Sequence, residues 1–293
     1  MRSISRNELI YEHEIPKGAR LYFGASARKK REIEGIASAL LYKEGFEEIV
    51  TPLFSYHQHN YVENESELIH IFDEKNRKLT IRADSTVDVV RLITKRLGRS
   101  VEHKRWFYIQ PVYRYPSKEY YQIGAEILDS KDAQIALKLV KRFFDEVGLE
   151  ATLQISNIKI PKLLARNYGV DLEILKRIDL DRIVDVEHEW MEPLLHLSRP
   201  EQIDDLLGLV PEDIEEELVK MKELAQCVLY DDIILSPLFY ADMRYYKDLF
   251  FRFLSGNATL AMGGEYEAAG LEACGFAIYT DEVIQIQKVA DGS

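Results

Sequence analysis

The stretch from Phe107 to Asp129 allows few folds. Its first half is rich in aromatic and β-branched residues, Tyr115-Pro116-Ser117-Lys118 supplies turn chemistry, and Tyr121 to Glu126 resumes an extended pattern. Two strands joined by a tight connection are the expected result. At the strand period of two, Gln122, Gly124 and Glu126 share one face, and Arg114 ends the preceding strand. The glycine leaves room above the sheet, so this face is either a small polar pocket or the solvated side of an antiparallel sheet.

With 293 residues, 46% hydrophobic and 30% charged, the chain can bury a full core. No apolar run reaches bilayer length, and the first residues, Met1 to Arg6, lack the apolar core of a secretion signal. No membrane association is expected. Cys227 and Cys274 without CxxC spacing point to a reducing cytoplasm with no structural disulfide. A net charge of −12 opposes a phosphate backbone, so nucleic acid is not an expected partner.

Helical periodicity runs from Ser26 to Glu44 through Ile33, Ile36, Ala37, Leu40 and Leu41, with Ser26 as cap and Gly45 as stop. Arg28-Lys29-Lys30-Arg31 in its first turn opposes the helix dipole and reads first as a solvated face, with an acidic neighbour or a partner as the alternative. A strand over Gly45 to Phe54 that ends in Pro follows. His57 and His59 form an HxH pair, read as a loop with exposed imidazoles because no Cys lies nearby to complete a metal site. Leu79 to Thr86 is a strand running into a helix that Ser85 caps, and Ser130 caps another helix through Val147. After the strand Leu153 to Ser156, residues 159–226 form helices with acidic faces, a small helical insertion. Ile233 to Tyr246, Leu260 to Glu267 and Gly275 to Glu282 return to the sheet.

These segments carry a resemblance. Aromatic-Arg, a turn, aromatic-aromatic-Gln and then Gly-Ala-Glu resembles the second signature motif of class II aminoacyl-tRNA synthetases, in the histidyl-tRNA synthetase form. The helix, Gly45-Phe46, strand and Pro52 succession is similar to motif 1, through which that family dimerises. Leu79 to Thr86 resembles the segment Leu-Arg-Pro-Glu-Gly-Thr, with Asp84 where the family's Glu contacts the amino group of histidine. Ile233 to Tyr246 resembles Leu-Val-Arg-Gly-Leu-Asp-Tyr-Tyr, with Ala241 in place of the catalytic Arg. Leu260 to Glu267 is similar to Gly-Gly-Gly-Arg-Tyr-Asp with Glu265 for Arg, and Gly275 to Glu282 resembles motif 3 with Glu282 for the triphosphate-binding Arg.

The resemblance spans nearly the whole chain. It implies an α+β fold, a mixed and mainly antiparallel class II sheet flanked by helices, as one domain over 1–293 with the insertion at about 159–226. It also implies Asp84, Arg114, Gln122, Glu126, Tyr245 and Tyr246 as histidine-binding residues. Departures from the pattern count against the ATP half of the site. Activation of an amino acid needs cations on the developing phosphate charge, and Ala241, Glu265 and Glu282 supply none. The connection of residues 115–121 is shorter than the family's motif 2 loop, and only residues 283–293 follow Glu282, so the anticodon-binding domain is expected to be absent.

An amino-acid pocket kept beside a dismantled ATP site resembles the regulatory subunits of ATP phosphoribosyltransferase. These are paralogues of histidyl-tRNA synthetase that assemble with a short-form catalytic subunit at the first step of histidine biosynthesis. The resemblance implies a cytoplasmic, non-catalytic chain without cofactor or metal, a homodimer within a hetero-oligomer, with histidine as effector. Two alternatives stay open. An amino-acid ligase would need a relocated ATP clamp drawn from Arg82, Arg114 and Arg244, and a free-standing histidine-binding paralogue would need no catalytic partner.

Overall fold

The computed structural model describes residues 13–58, 64–98, 100–177, 188–240 and 246–290. The chain begins with α1 (Gly24–Lys43), β1 (Glu47–Glu48), β2 (Phe54–Ser55), β3 (His70–Phe72), β4 (Lys78–Ile81) and α2 (Thr86–Arg91), which continues as a π-helical stretch, Leu92–Leu97. The hairpin β5 (Arg105–Arg114) and β6 (Lys118–Leu128) follows, then α3 (Ala133–Val147) and β7 (Thr152–Asn157). Next come α4 (Lys159–Asn167), α5 (Leu172–Arg177), α6 (Met191–His196), α7 (Ile203–Leu206) and α8 (Glu212–Gln226). The last elements are β8 (Ile233–Leu235), β9 (Tyr246–Ser255), β10 (Ala258–Ala268), β11 (Leu271–Tyr279) and α9 (Thr280–Ala290).

Eight strands form one sheet in the order β1-β5-β6-β11-β10-β9-β7-β8, parallel at its two outer pairs and antiparallel between them. A second sheet, β2-β4-β3, is antiparallel. The β5–β6 hairpin has the expected register, Arg114 opposite Lys118 and Gln110 opposite Gln122. Strand pleating then separates two environments. Ile123, Ala125 and Ile127 enter the large core, where Ile33 and Leu40 of α1, Phe143 of α3 and Leu218 of α8 cover the sheet. The opposite face holds a smaller core in which Val89, Val90 and Ile93 pack on Trp106, Tyr108, Tyr246 and Tyr266. Cys227 and Cys274 are both free thiols. No helix among the described residues is long and apolar enough to cross a membrane.

Several local details differ from the sequence expectations, each for a steric or hydrogen-bonding reason. Helix α1 starts at Gly24, and Ser26 closes its first turn by accepting from Phe23 N at 3.0 Å rather than by capping. The basic cluster falls after the first turn, and three of its residues pair within the helix, Lys29 with Glu32, and Lys30 and Arg31 with Glu34, while Lys30 Nζ also lies 4.0 Å above the Tyr121 ring. The single strand expected over 45–54 is two fragments in different sheets. Pro52 has no N–H to give a ladder, and Thr51 N turns to the side chain of Gln110 at 3.2 Å. Phe46 is buried in the main core, whereas Val50, Leu53 and Phe54 are exposed.

At α2, Asp84 rather than Ser85 caps, its Oδ1 accepting from Val87 N at 3.0 Å. Ser85 Oγ instead accepts from Gln110 Nε2, and Asp88 is buried against Ser55, Gln58 and Arg91. Helix α3 is capped by Asp132, which accepts from Gln134 N at 3.0 Å, and closed by Gly148 at φ 65°. Of the strand expected over 233–246, the described residues hold β8 at Ile233–Leu235 and the first residue of β9, Tyr246. His59, Ala241, Arg244 and Tyr245 lie outside the described residues.

Candidate functional site

A small pocket lies on the α2 side of the large sheet. Strand β6 contributes Gln122 and Glu126, the end of β5 Arg114, the start of α2 Asp84 and Thr86, and the start of β9 Tyr246. Of the six residues expected to bind histidine, Asp84, Arg114, Gln122, Glu126 and Tyr246 thus converge. Tyr108, Met262, Tyr266 and Tyr279 join them without having been singled out from sequence. A register argument would have found Tyr108, which stands directly opposite Gly124.

That pairing corrects the expected role of Gly124. A Cβ there would lie 2.2 Å from Tyr108 Cζ, so the missing side chain is filled by a neighbouring phenol rather than left open for a ligand. Gly275 does the same for Glu126, because a Cβ at Gly275 would lie 2.1 Å from Glu126 Oε2. The two glycines seat a tyrosine and a carboxyl in the pocket floor. Tyr266 donates to Glu126 Oε2 at 2.6 Å, Tyr108 donates to Oε1 at 3.3 Å, and Thr86 Oγ1 lies 3.3 Å from the Tyr108 hydroxyl.

Burial pushes the Glu126 carboxyl up to about 8, although the bonds from Tyr266, Thr86 and Tyr108 favour its charged form. Desolvation outweighs them and favours the protonated carboxyl. Burial, with Glu126 nearby, also raises Tyr108, Tyr246 and Tyr266 well above the ordinary phenol range, which keeps them neutral. The chemistry suits a small ligand that brings a cationic N–H group, which would restore charge to Glu126 and use the phenols as neutral partners.

The pocket itself is tight, with a volume of about 20 Å³, room for roughly one water. Next to it a cleft of about 620 Å³ is lined by Arg114, Tyr120, Gln122, Asn257, Tyr279 and Glu282. Glu282 therefore faces the cleft where the resembled motif has its triphosphate-binding Arg. Arg114 is paired with Glu67 at 2.8 Å. Arg82 points away from both cavities, and its guanidinium donates to Pro111 O at 2.8 and 2.9 Å and to Thr51 O at 2.9 Å. Glu265 departs from expectation. Its carboxyl accepts from Ala133 N at the start of α3 and is raised to about 7 by burial, and it lines neither cavity. Its identity thus says nothing about phosphate binding.

The histidyl-tRNA synthetase family model matches residues 18–283. An ATP phosphoribosyltransferase regulatory subunit of Wolinella succinogenes is 46% identical over 277 residues, covering 94% of this chain and 96% of that one. Its counterpart from Helicobacter hepaticus is 40% identical over 94% of this chain and 99% of its own. Among solved structures, an ATP phosphoribosyltransferase regulatory subunit/histidyl-tRNA synthetase from Bacillus halodurans C superposes with a TM-score of 0.83 at 18% identity, over 94% of this chain and 84% of that one. The family model and the two near-full-length relatives show that the chain belongs to the ATP phosphoribosyltransferase regulatory subunit family, built on the histidyl-tRNA synthetase fold.

Proposed function

We propose that this chain is the non-catalytic subunit of a cytoplasmic ATP phosphoribosyltransferase complex, joining a short-form catalytic subunit, raising its activity and making it sensitive to histidine. One class II-like domain, with residues 159–226 as an insertion, would carry both tasks. The observation that carries the reading is the contrast between two adjacent cavities. The pocket gathers a carboxylate, an amide, a buried carboxyl and four phenols, groups suited to an ammonium and an imidazole. The cleft beside it presents Glu282 and one arginine already paired with Glu67, a poor match for a triphosphate. The names of the two near-full-length relatives support the catalytic partner.

Mixing the purified chain with a short-form catalytic subunit tests both halves. Phosphoribosyl-ATP formation should rise on mixing, and histidine should then inhibit it. A differential affinity of histidine for the inhibited arrangement of about 5–150-fold would be typical of such coupling. No activation on mixing would remove the regulatory reading. Histidine-dependent ATP–pyrophosphate exchange by the isolated chain would favour an amino-acid ligase instead.

The same reading includes a homodimer. Val50 (75% exposed) and Phe54 leave apolar side chains exposed before and on β2, the edge strand of the three-stranded sheet, which a second copy would cover. Phe46 belongs to the core, so the informative variant is Val50→Asp with Phe54→Asp. Sedimentation should show a dimer at micromolar concentration for the wild-type chain and a folded monomer for the variant. A wild-type monomer would refute the dimer.

A further inference from the structure

Four side chains, Arg114, Gln122, Met262 and Tyr279, line both the pocket and the cleft and so form the wall between them. They differ in freedom. Arg114 is held by Glu67 at 2.8 Å, and Gln122 and Tyr279 stand opposite each other in paired strands. Met262, partly buried against the smaller core, meets the Tyr279 hydroxyl at 3.5 Å from Sδ, a weak contact to a thioether that turns about several staggered torsions. In the signature that Leu260 to Glu267 resembles, this position is the first of three glycines, so Met262 adds a whole side chain where that motif has none. The space on the pocket side is about 20 Å³, and on the cleft side about 620 Å³. An imidazole ring is several times larger than a water molecule and cannot enter without a displaced wall. The cleft has the volume to receive a swinging methionine.

We infer that Met262 is the gate of the pocket: an imidazole-type ring passes from the cleft to Glu126 only when the thioether swings off Tyr279. This rests on the reading of the pocket as the histidine site. A corollary is that Met262 limits the size of the ligand, because the ring must fit the space that one side chain vacates.

Stopped-flow tyrosine fluorescence with imidazole and with histidine as probes, together with calorimetric titration, tests the gate in the wild type, Met262→Ala and Met262→Leu. Association of both probes should be about tenfold faster in Met262→Ala. Met262→Leu, of similar bulk but branched and without the thioether, should be slower than the wild type. Thermal melts that match the wild type would show that each variant is folded. Equal association rates in the wild type and Met262→Ala would overturn the gate, as would binding of neither probe to any of the three proteins. Faster entry of imidazole in Met262→Ala, with no binding of histidine to any protein, would uphold the gate and reject histidine as the natural ligand.

Discussion

Glu126→Gln should weaken histidine inhibition of the reconstituted complex by roughly 10- to 100-fold, the range for losing a hydrogen bond to a charged group, and should change how stability depends on pH. The folded chain holds the Glu126 proton up to about pH 8, whereas a carboxyl in the unfolded chain releases it near the ordinary value of 4.5. Between those values the folded state binds more protons than the unfolded state, so the contribution of Glu126 to stability falls as pH rises. Across the whole window the loss is on the order of several kcal/mol. Glutamine keeps the shape and cannot ionise, so this slope disappears. Glu265, raised to about 7, adds a slope of the same sign to both proteins and cancels in the comparison. Urea denaturation at pH 5, 7 and 9 measures the effect, with Glu126→Gln gaining on the wild type as pH rises. Parallel pH profiles would show that Glu126 ionises normally, and an unchanged histidine response would move the effector out of this pocket.

The second large effect is expected at Arg82, which is 4% exposed. Its guanidinium satisfies Pro111 O and Thr51 O where the chain leaves β1 for β2, a stretch in which Pro52 cannot donate. Arg82→Ala leaves the buried Thr51 carbonyl and the part-buried Pro111 carbonyl without the guanidinium and opens a cavity, at a total cost on the order of 3–5 kcal/mol. Arg114→Ala removes a partly exposed ion pair with Glu67 and should cost less than about 1 kcal/mol. Chemical denaturation of the two variants distinguishes a structural arginine from one that serves the cleft. A loss below about 1 kcal/mol for Arg82→Ala would mean that its carbonyl contacts do not hold the crossover.

Local patterning in the chain was sufficient for the hairpin and its faces. Aromatic and β-branched residues around Tyr115-Pro116 dictate two strands, and a side-chain period of two forces Gln122 and Glu126 onto one face and Ile123 and Ile127 onto the other. Motif resemblance then brought Asp84 to the same place, because the start of α2 follows directly from β4. What lies between strands distant in sequence was decided only by tertiary pairing. Tyr108 fills the gap above Gly124, and Tyr266 reaches Glu126 from β10, since β11 aligns Gly275 with Glu126 and leaves space for its carboxyl. The charge state of Glu126 has the same origin, because desolvation depends on what every neighbouring element covers. Glu265 and Arg82 show the converse. From residue type alone Glu265 marks a lost phosphate cation and Arg82 a candidate for a relocated clamp, but pairing and packing direct Glu265 to the start of α3 and Arg82 to backbone carbonyls, because a side chain's role is set by the face and the partners that the folded sheet assigns to it.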